Sequence, residues 1–260
     1  MLADLFHILT TPAPAAMRRL GYVAESVALR SRSRRCRRAW APHLERTRSV
    51  ILAASDGLPH RRTVAVLGSG LLDDVPVKGL AERFERVMLV DAVHPWATRL
   101  AVRRWANVRL VHADLSGAAE LLLGKSSSLS DPLAVLRGET DLDLVVSANL
   151  LSQLPILPLD ACERPGGPRR PDLGREIVAA HLAALSSLEA RVCLVTDVSE
   201  TELDREGRVT DRLDLMHGVP MPEPDQVWDW ELAPFGEVAR HRRILHRVHA
   251  YPDWTRRVPA

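Results

Sequence analysis

The stretch Thr63-Val-Ala-Val-Leu-Gly-Ser-Gly70, followed by an amphipathic segment and then by Arg86-Val-Met-Leu-Val-Asp91, decides the fold. A short apolar strand runs into a turn that holds Gly68 and Gly70, and a second apolar strand ends on an acid, Asp91. Glycines let the backbone approach a ligand closely, and an acid in this place accepts hydrogen bonds from both hydroxyls of a ribose. The glycines and the acid are separated by about 20 residues, as such sites require. The stretch therefore predicts one βαβ unit that holds an adenosine-containing ligand.

The rest of the chain continues the alternation of short apolar runs with amphipathic segments, which is typical of a parallel sheet covered on both faces. The last two apolar runs are too close together for a helical crossover, so they predict an antiparallel hairpin. The sequence thus predicts a doubly wound α/β fold, with a mostly parallel seven-stranded sheet whose last strand is antiparallel. The predicted strands are 63–68, 86–91, 108–113, 142–148, 191–197, 228–232 and 244–251, and the predicted helices are 76–85, 95–105, 117–124 and 174–188.

An N-terminal extension, residues 1–60, precedes the Rossmann-like domain predicted over 61–260. Apolar spacing predicts two helices within 11–55, packed on the edge of the sheet or over the mouth of the ligand site. Residues 1–62 carry 12 arginines and only 4 acids, although the net charge of the whole chain is +2. The densest run is Arg30-Ser-Arg-Ser-Arg-Arg-Cys-Arg-Arg38. It predicts either a solvated helix face or a patch that binds the phosphates of RNA or of anionic lipids. Residues 155–173 and 198–227 are expected to be long loops.

The composition excludes several classes of protein. The chain is 46% apolar and 26% charged, as in globular proteins. It contains no apolar run of the roughly 18 residues that a membrane helix needs. The N-terminus lacks the pattern of a secretion signal. Its three cysteines are scattered and odd in number, which favours reduced thiols and a cytoplasmic location over a disulfide framework.

The turn after Gly70 distinguishes between two kinds of ligand. A dinucleotide site has a third glycine where Asp73 stands here, and Asp74 follows it. Two carboxylates at the start of a helix would repel a pyrophosphate, which disfavours a nicotinamide oxidoreductase. S-adenosylmethionine contains no phosphate and carries a sulfonium cation, so nearby acids favour it.

At these residues the chain resembles the class I S-adenosylmethionine-dependent methyltransferases, over about 63–251. The resemblance rests on Val66-Leu-Gly-Ser-Gly70, on Asp91, on the segment Leu144-Val-Val-Ser-Ala-Asn-Leu-Leu-Ser-Gln-Leu-Pro155 and on the terminal hairpin. It implies a Rossmann-like transferase, an enzyme with S-adenosylmethionine as its cofactor, of the soluble type found in bacteria. It also implies that the cofactor is held by Gly68, Ser69, Gly70, Asp91, Ala92, Asp114, Leu115 and Asn149, with Asp114 at the position of an adenine contact.

Two residues differ from the pattern of that family. Val66 stands where the family has an acid that binds the amino group of the methionine part. Leu72 stands where the family has its third glycine.

Three polar residues at the ends of predicted strands are candidates for catalysis. Asn149 is predicted to orient the methyl acceptor, and Gln153 shares its face if the segment is helical. The alternative for both is that they cap the following turn. Asp197 is either a base or partner of a substrate cation, or a cap on the loop that follows it. No metal site is expected, because His246 and His249 would point to opposite faces of one strand.

The prediction for function is methyl transfer to a small molecule. One alternative is an RNA or protein methyltransferase that docks through the arginine run. The other is a non-catalytic module that binds a nucleoside or a partner protein. The acceptor and the oligomeric state are not specified by any motif in the sequence.

Overall fold

The computed structural model describes residues 2–256, and the side chains of residues 4–255. Within this part of the chain eight strands form one sheet. Its central strands are short, apolar and almost entirely buried, which explains their strong signal in the sequence. The strands are β1 (Thr63–Leu67), β2 (Arg86–Asp91), β3 (Val108–His112), β4 (Leu142–Ala148), β5 (Arg191–Leu203), β6 (Val209–Asp214), β7 (Gln226–Ala233) and β8 (Arg243–Tyr251).

The order of the strands is β3-β2-β1-β4-β5-β8-β7, and β6 pairs with β5 outside this path. Strands β1 to β5 are parallel, whereas β8 is antiparallel to both of its neighbours. The structure therefore confirms the doubly wound, mostly parallel sheet with an antiparallel last strand. The chain winds outward from β1 on one side and from β4 on the other. In open α/β sheets such a switch point forms a crevice where ligands bind.

Helices cover both faces of the sheet. Val64 and Val66 of β1 belong to one hydrophobic cluster, and the alternate residues Ala65 and Leu67 belong to a second cluster on the other face. None of the described helices combines the length and the apolar character needed to cross a bilayer. The helices are α1 (Leu2–Thr10), α2 (Ala15–Leu20), α3 (Tyr22–Arg35), α4 (Arg37–Ala54), α5 (Val77–Arg83), α6 (Trp96–Val102), α7 (Ala119–Leu122), α8 (Ile156–Glu163) and α9 (Leu173–Ser186).

The N-terminal helices pack on the sheet and line its crevice, as predicted. α4 packs on β7, where Trp40 Nε1 donates a hydrogen bond of 2.9 Å to the carbonyl oxygen of Leu232. α2 and α3 pack against the segment after β2 and against α7. Because Ile51 of α4 is buried in the same cluster as Val66, these helices share the core of the sheet. The division at residue 60 stays a prediction.

The predicted count of seven strands was wrong, because an additional hairpin lies where we expected an irregular loop at 198–227. β5 continues to Leu203 and turns back as β6. All six residues of β6 are exposed. A strand without a buried face lacks the alternation of apolar and polar residues that reveals strands in a sequence.

Two predictions about helices also need correction. Three helices, rather than two, lie within residues 11–55, because Gly21 is left-handed and Cys36 interrupts the helical path. The segment 155–173 contains α8, although its prolines suggested a loop. Pro155 precedes this helix and Pro158 lies in its first turn, where the backbone N–H groups have no partner within the helix.

Candidate functional site

The turn after β1 is tied to the end of β2 by a carboxylate. Asp91 accepts hydrogen bonds from the backbone N–H of Gly70 at 2.7 Å and of Val93 at 3.2 Å. Gly68 has a φ of +72°, and a side chain there would come within 2.9 Å of Leu150 Cδ1. Only glycine can adopt this positive φ and also leave room for the Leu150 side chain without strain. The geometry fixes Asp91 at the switch point, beside the glycine turn.

The carboxylate of Asp91 is shielded from water. Burial raises the pKa of Asp91 to about 6, although its hydrogen bonds with backbone N–H groups oppose this rise. Its carboxylate is therefore mostly ionised at neutral pH and retains lone pairs for further donors.

Leu72 adopts the left-handed conformation that the missing third glycine would favour. Its φ is +64°, and its N–H donates a 2.9 Å hydrogen bond to Ser69 O. A left-handed non-glycine residue costs roughly 1–2 kcal/mol. The turn thus keeps a glycine-like conformation with a leucine in it.

A cavity of about 190 Å³ opens at the carboxyl ends of β1, β2 and β4. Four carboxylates line it, and none of the lining residues is lysine or arginine within the described part of the chain. The cavity therefore favours a cationic ligand and repels phosphates. The four acids are Glu25, Asp73, Asp74 and Asp91.

Asn149 lies in this cavity in a strained conformation. Its φ is +53°, and its N–H donates to Val195 O at 2.8 Å. Its Nδ2 donates to Asp74 Oδ2 at 2.6 Å, while its Oδ1 is buried and has no partner among the described residues. A strained residue with an unpaired polar atom is typical of functional sites. Its role in orienting an acceptor stays a prediction.

Gln153 also lines the cavity, but its amide is used locally. Its Nε2 donates to Asn149 O at 2.6 Å, as the capping alternative predicts. This bond holds the turn after β4 and leaves the Gln153 carbonyl oxygen for other donors.

Asp197 does not line the cavity, contrary to what its position at the end of β5 suggested. It is buried and accepts hydrogen bonds from Ser152 Oγ at 2.5 Å and from His246 Nδ1. Burial alone would raise the pKa of Asp197, but the hydrogen bond and charge of His246, together with the hydrogen bonds from Ser152 and the backbone, outweigh burial and lower it. The pairing partner comes from β8, about 50 residues later, and no local pattern in the sequence indicates it.

His246 also contacts Glu200 at 2.8 Å, which places this imidazole between two carboxylates. Burial favours neutral His246, but the hydrogen bonds to Asp197 and Glu200 and the negative charges of these two residues together outweigh burial and raise its pKa to about 9. The three residues form an ion-paired cluster that joins β5 to β8, in which Asp197 and His246 are buried and Glu200 is partly exposed. Asp197 is therefore placed to stabilise the fold rather than to contact a substrate.

The other predicted cofactor residues lie at or near the cavity, with one exception. Asp114 is not a lining residue, because its carboxylate accepts from Ser116 N, Ser116 Oγ and Ala119 N and so caps the turn before α7. Its role as an adenine contact stays a prediction. The lining does include Gly68, Ser69, Gly70, Asp91, Ala92, Leu115 and Asn149.

The aromatic end of the cavity was missed by the sequence analysis. Trp40 and His43 of α4 meet Trp230 of β7 there. The rings of His43 and Trp230 stack at 4.1 Å with an interplanar angle of 8°, and Trp40 meets Trp230 edge-on at 5.2 Å. The alternation of Trp228 and Trp230 was a signal for burial, but their partners lie far away in the sequence.

The protonation of His43 is fixed by its surroundings. Burial lowers the pKa of His43 to about 4, so the ring is neutral at pH 7. Its Nδ1 accepts a 3.0 Å hydrogen bond from Trp228 Nε1, and the proton of the ring is therefore on Nε2. His43 is a hydrogen-bond donor in this state. Trp230 Nε1 is a second donor, buried and without a partner among the described residues.

In the part of the chain that the structure describes, no three or more His, Cys, Asp or Glu side chains are arranged so that they could hold a metal ion. His246 is engaged by two carboxylates, whereas His249 lies near Tyr251.

Comparison with known proteins gives distant structural similarity. No family model matches the chain, and no characterised protein matches it in sequence. Among solved structures, DhpI in complex with S-adenosylhomocysteine (SAH) is similar at 15% identity and a TM-score of 0.39, over 88% of this chain and 95% of that one.

Two methyltransferases have comparable similarity. The N-methyltransferase NodS from Bradyrhizobium japonicum, in complex with S-adenosyl-L-homocysteine, has 14% identity and a TM-score of 0.36, over 79% of this chain and 85% of that one. The 1,6-didemethyltoxoflavin-N1-methyltransferase of Burkholderia thailandensis has 17% identity and a TM-score of 0.38, over 92% and 91% of the chains. Because this similarity is distant, the function must be argued from the residues of the cavity.

Proposed function

We propose that the protein transfers a methyl group from S-adenosylmethionine to a small molecule. The observation that carries the proposal is the cavity at the switch point, which is lined by four carboxylates and, among the described residues, by no lysine or arginine. S-adenosylmethionine carries a net positive charge and contains no phosphate, so it matches this lining. A nicotinamide dinucleotide would bring its pyrophosphate close to Asp73 and Asp74, where their carboxylates repel it.

The residues at the glycine turn are suited to the nucleoside part of this cofactor. Asp91 would accept hydrogen bonds from the ribose hydroxyls, and Gly68 and Gly70 let the backbone approach the ligand. When bound, the cofactor supplies an electrophilic methyl group on its sulfonium. The chain supplies position and exclusion of water, which provide much of the rate in a transfer of this kind.

The aromatic end of the cavity supports a small acceptor. Trp40, His43 and Trp230 form apolar walls, and Leu29, Leu44 and Leu157 extend them. His43 Nε2 is a neutral donor that would orient an oxygen or nitrogen atom of an acceptor. Because its Nδ1 is engaged by Trp228, His43 is suited to positioning and unsuited to removing a proton.

Ligand binding tests the proposal directly. Thermal unfolding is measured with S-adenosylmethionine, S-adenosylhomocysteine (SAH) and NAD, each at several concentrations. A ligand at about 100 times its Kd adds about 2.7 kcal/mol to the stability, which raises the melting temperature by several degrees. We expect this rise with both adenosyl ligands and none with NAD. If neither adenosyl ligand has an effect, the proposal fails and a non-catalytic interaction module is favoured.

RNA or protein methylation is a second candidate, favoured by one observation on the surface. Arg34, Arg37 and Arg38 are exposed and form no ion pair among the described residues, whereas Arg35 pairs with Glu237 at 2.6 Å. This leaves an uncompensated positive patch on α3 and α4. The cavity nevertheless favours a small acceptor, because both of these helices contribute to its lining.

The RNA candidate predicts a salt-dependent interaction. If it is correct, a 20-nucleotide RNA should bind with an affinity that falls steeply with salt, and changing Arg34, Arg37 and Arg38 to glutamine should lower the slope by about 2–3. Three other exposed arginines, Arg169, Arg212 and Arg240, changed to glutamine, provide a control of equal charge. We expect the two triple variants to behave alike, with weak binding in both. If only the variant of Arg34, Arg37 and Arg38 loses affinity for RNA, the RNA candidate is favoured.

The cysteines support the predicted cytoplasmic location. Cys36, Cys162 and Cys193 are free thiols. Burial raises the pKa of Cys36 to about 11, so this thiol is neutral and is not the surface group that its arginine neighbours suggest.

A further inference from the structure

We propose that Asp74 is the counter-ion for the ammonium group of the cofactor's amino-acid tail, and that Asn149 holds the Asp74 carboxylate in place. This inference rests on the proposed function, because it names the part of the cavity that would take that tail. It assigns a binding role to a residue that the glycine motif does not include.

Position 66 does not provide this counter-ion. The side chain of Val66 is only 1% exposed. It belongs to the hydrophobic cluster that α4 forms with one face of the sheet. An acid is therefore needed from another element if an ammonium group is to be bound at this end of the cavity.

Asp74 and Asn149 meet at the switch point, where the segments after β1 and β4 lie side by side. Both line the cavity, and their side chains are joined by the 2.6 Å hydrogen bond from Asn149 Nδ2 to Asp74 Oδ2. The backbone of Asn149 is fixed at both ends, since its N–H donates to Val195 O and its carbonyl oxygen accepts from Gln153 Nε2. The amide therefore holds the carboxylate in one orientation.

One side-chain atom of Asn149 lacks a hydrogen-bond partner among the described residues, and it indicates which chemical group Asp74 and Asn149 bind. Asn149 Oδ1 is buried and has no partner among the described residues, and an acceptor of this kind is costly unless a donor meets it. An ammonium group has three N–H donors and no acceptor. It satisfies a carboxylate and a neighbouring amide oxygen at the same time.

The other acids of the cavity are less suited to this role. Asp91 accepts from Gly70 and Val93, and Asp73 Oδ2 accepts a 2.5 Å hydrogen bond from Ser33 Oγ of α3. Glu25 is exposed on α3, where water competes for it. Arg48 donates to the carbonyl oxygen of Asp73, and no described lysine or arginine forms an ion pair with Asp74.

Two ligands that differ in the amino-acid tail test the proposal. SAH carries the ammonium group, whereas 5′-methylthioadenosine has the same nucleoside and lacks the tail. Binding of both is measured by calorimetry for the unaltered protein, for Asp74→Asn and for the control Asp160→Asn, which removes an exposed charge on α8. We expect Asp74→Asn to weaken the binding of SAH at least tenfold and to change the affinity for methylthioadenosine by no more than about twofold. A loss of this size is expected when one charge-assisted contact is removed. The control should leave both unchanged.

Each other outcome overturns a specific claim. If Asp74→Asn binds SAH as the unaltered protein does, Asp74 is not the counter-ion and the proposed function still stands. If it weakens both ligands equally, the effect lies in the fold or the nucleoside site, and the assignment also fails. If the unaltered protein binds neither ligand, the proposed function fails and this subsite with it.

Discussion

Replacing His246 with leucine is expected to lower the free energy of unfolding by about 3–5 kcal/mol, because it leaves buried Asp197 without its cation. Asp197 is 2% exposed and would retain the hydroxyl of Ser152 and a backbone hydrogen bond, but no cation, as partners. Urea denaturation with a two-state fit measures the change. His241 is exposed, and His241→Leu should change stability by less than about 0.5 kcal/mol.

A double variant separates the ion pair from simple packing. Removing both charges leaves no buried ion unpaired, so Asp197→Ala with His246→Leu should cost less than the sum of the two single changes. Additive losses would contradict an electrostatic role for this cluster and would indicate that each side chain acts only by filling space.

The pH dependence of stability is a second test of the cluster of Asp197, Glu200 and His246. The pKa of His246 is about 9 in the folded protein, against about 6.5 for an unfolded histidine. A raised pKa contributes stability that is complete below pH 6.5 and is lost as the pH rises through 9. We expect the unfolding free energy to fall by about 1.4 kcal/mol per pH unit between these values, and the slope to be absent in His246→Leu.

The sheet was predictable because its strands carry local signals. β1, β2 and β4 contain uninterrupted apolar runs at 64–67, 87–90 and 144–146, as expected for strands that helices cover on both faces. β7 and β8 were also recognised, since buried Trp228 and Trp230 alternate with polar residues. β6 was missed because its stability comes from backbone pairing with β5, which leaves no trace in the pattern of side chains.

The two ends of the cavity also differ in how far the sequence predicts them. The glycine turn and Asp91 belong to one short βαβ unit, so their spacing alone predicts that they meet. His43, Asn149 and Trp230 come from three elements that are far apart in the chain, and only the packing of α4 on β7 brings the rings together. Residue type alone did not distinguish Asn149, which lines the cavity, from Asp197, which is sequestered by His246.

Replacing Asp91 with alanine is expected to weaken SAH binding by tenfold to a hundredfold. The change removes the charged acceptor for the ribose hydroxyls, and such hydrogen bonds contribute about 1.5–3 kcal/mol. It also releases the N–H groups of Gly70 and Val93, which loosens the glycine turn. Calorimetry measures the affinity, with Asp160→Asn again as the control for an exposed charge.

The choice of ligand makes the Asp91 prediction specific to the ribose. Because SAH and 5′-methylthioadenosine share this sugar, Asp91→Ala should weaken both by a similar factor, whereas Asp74→Asn should weaken SAH alone. Burial raises the pKa of Asp91 to about 6, so the affinity of the unaltered protein for methylthioadenosine should also fall as the pH drops from 7 to 5. In Asp91→Ala that dependence should disappear. If methylthioadenosine binds unchanged in this variant, the ribose is held elsewhere and the glycine turn has a structural role only.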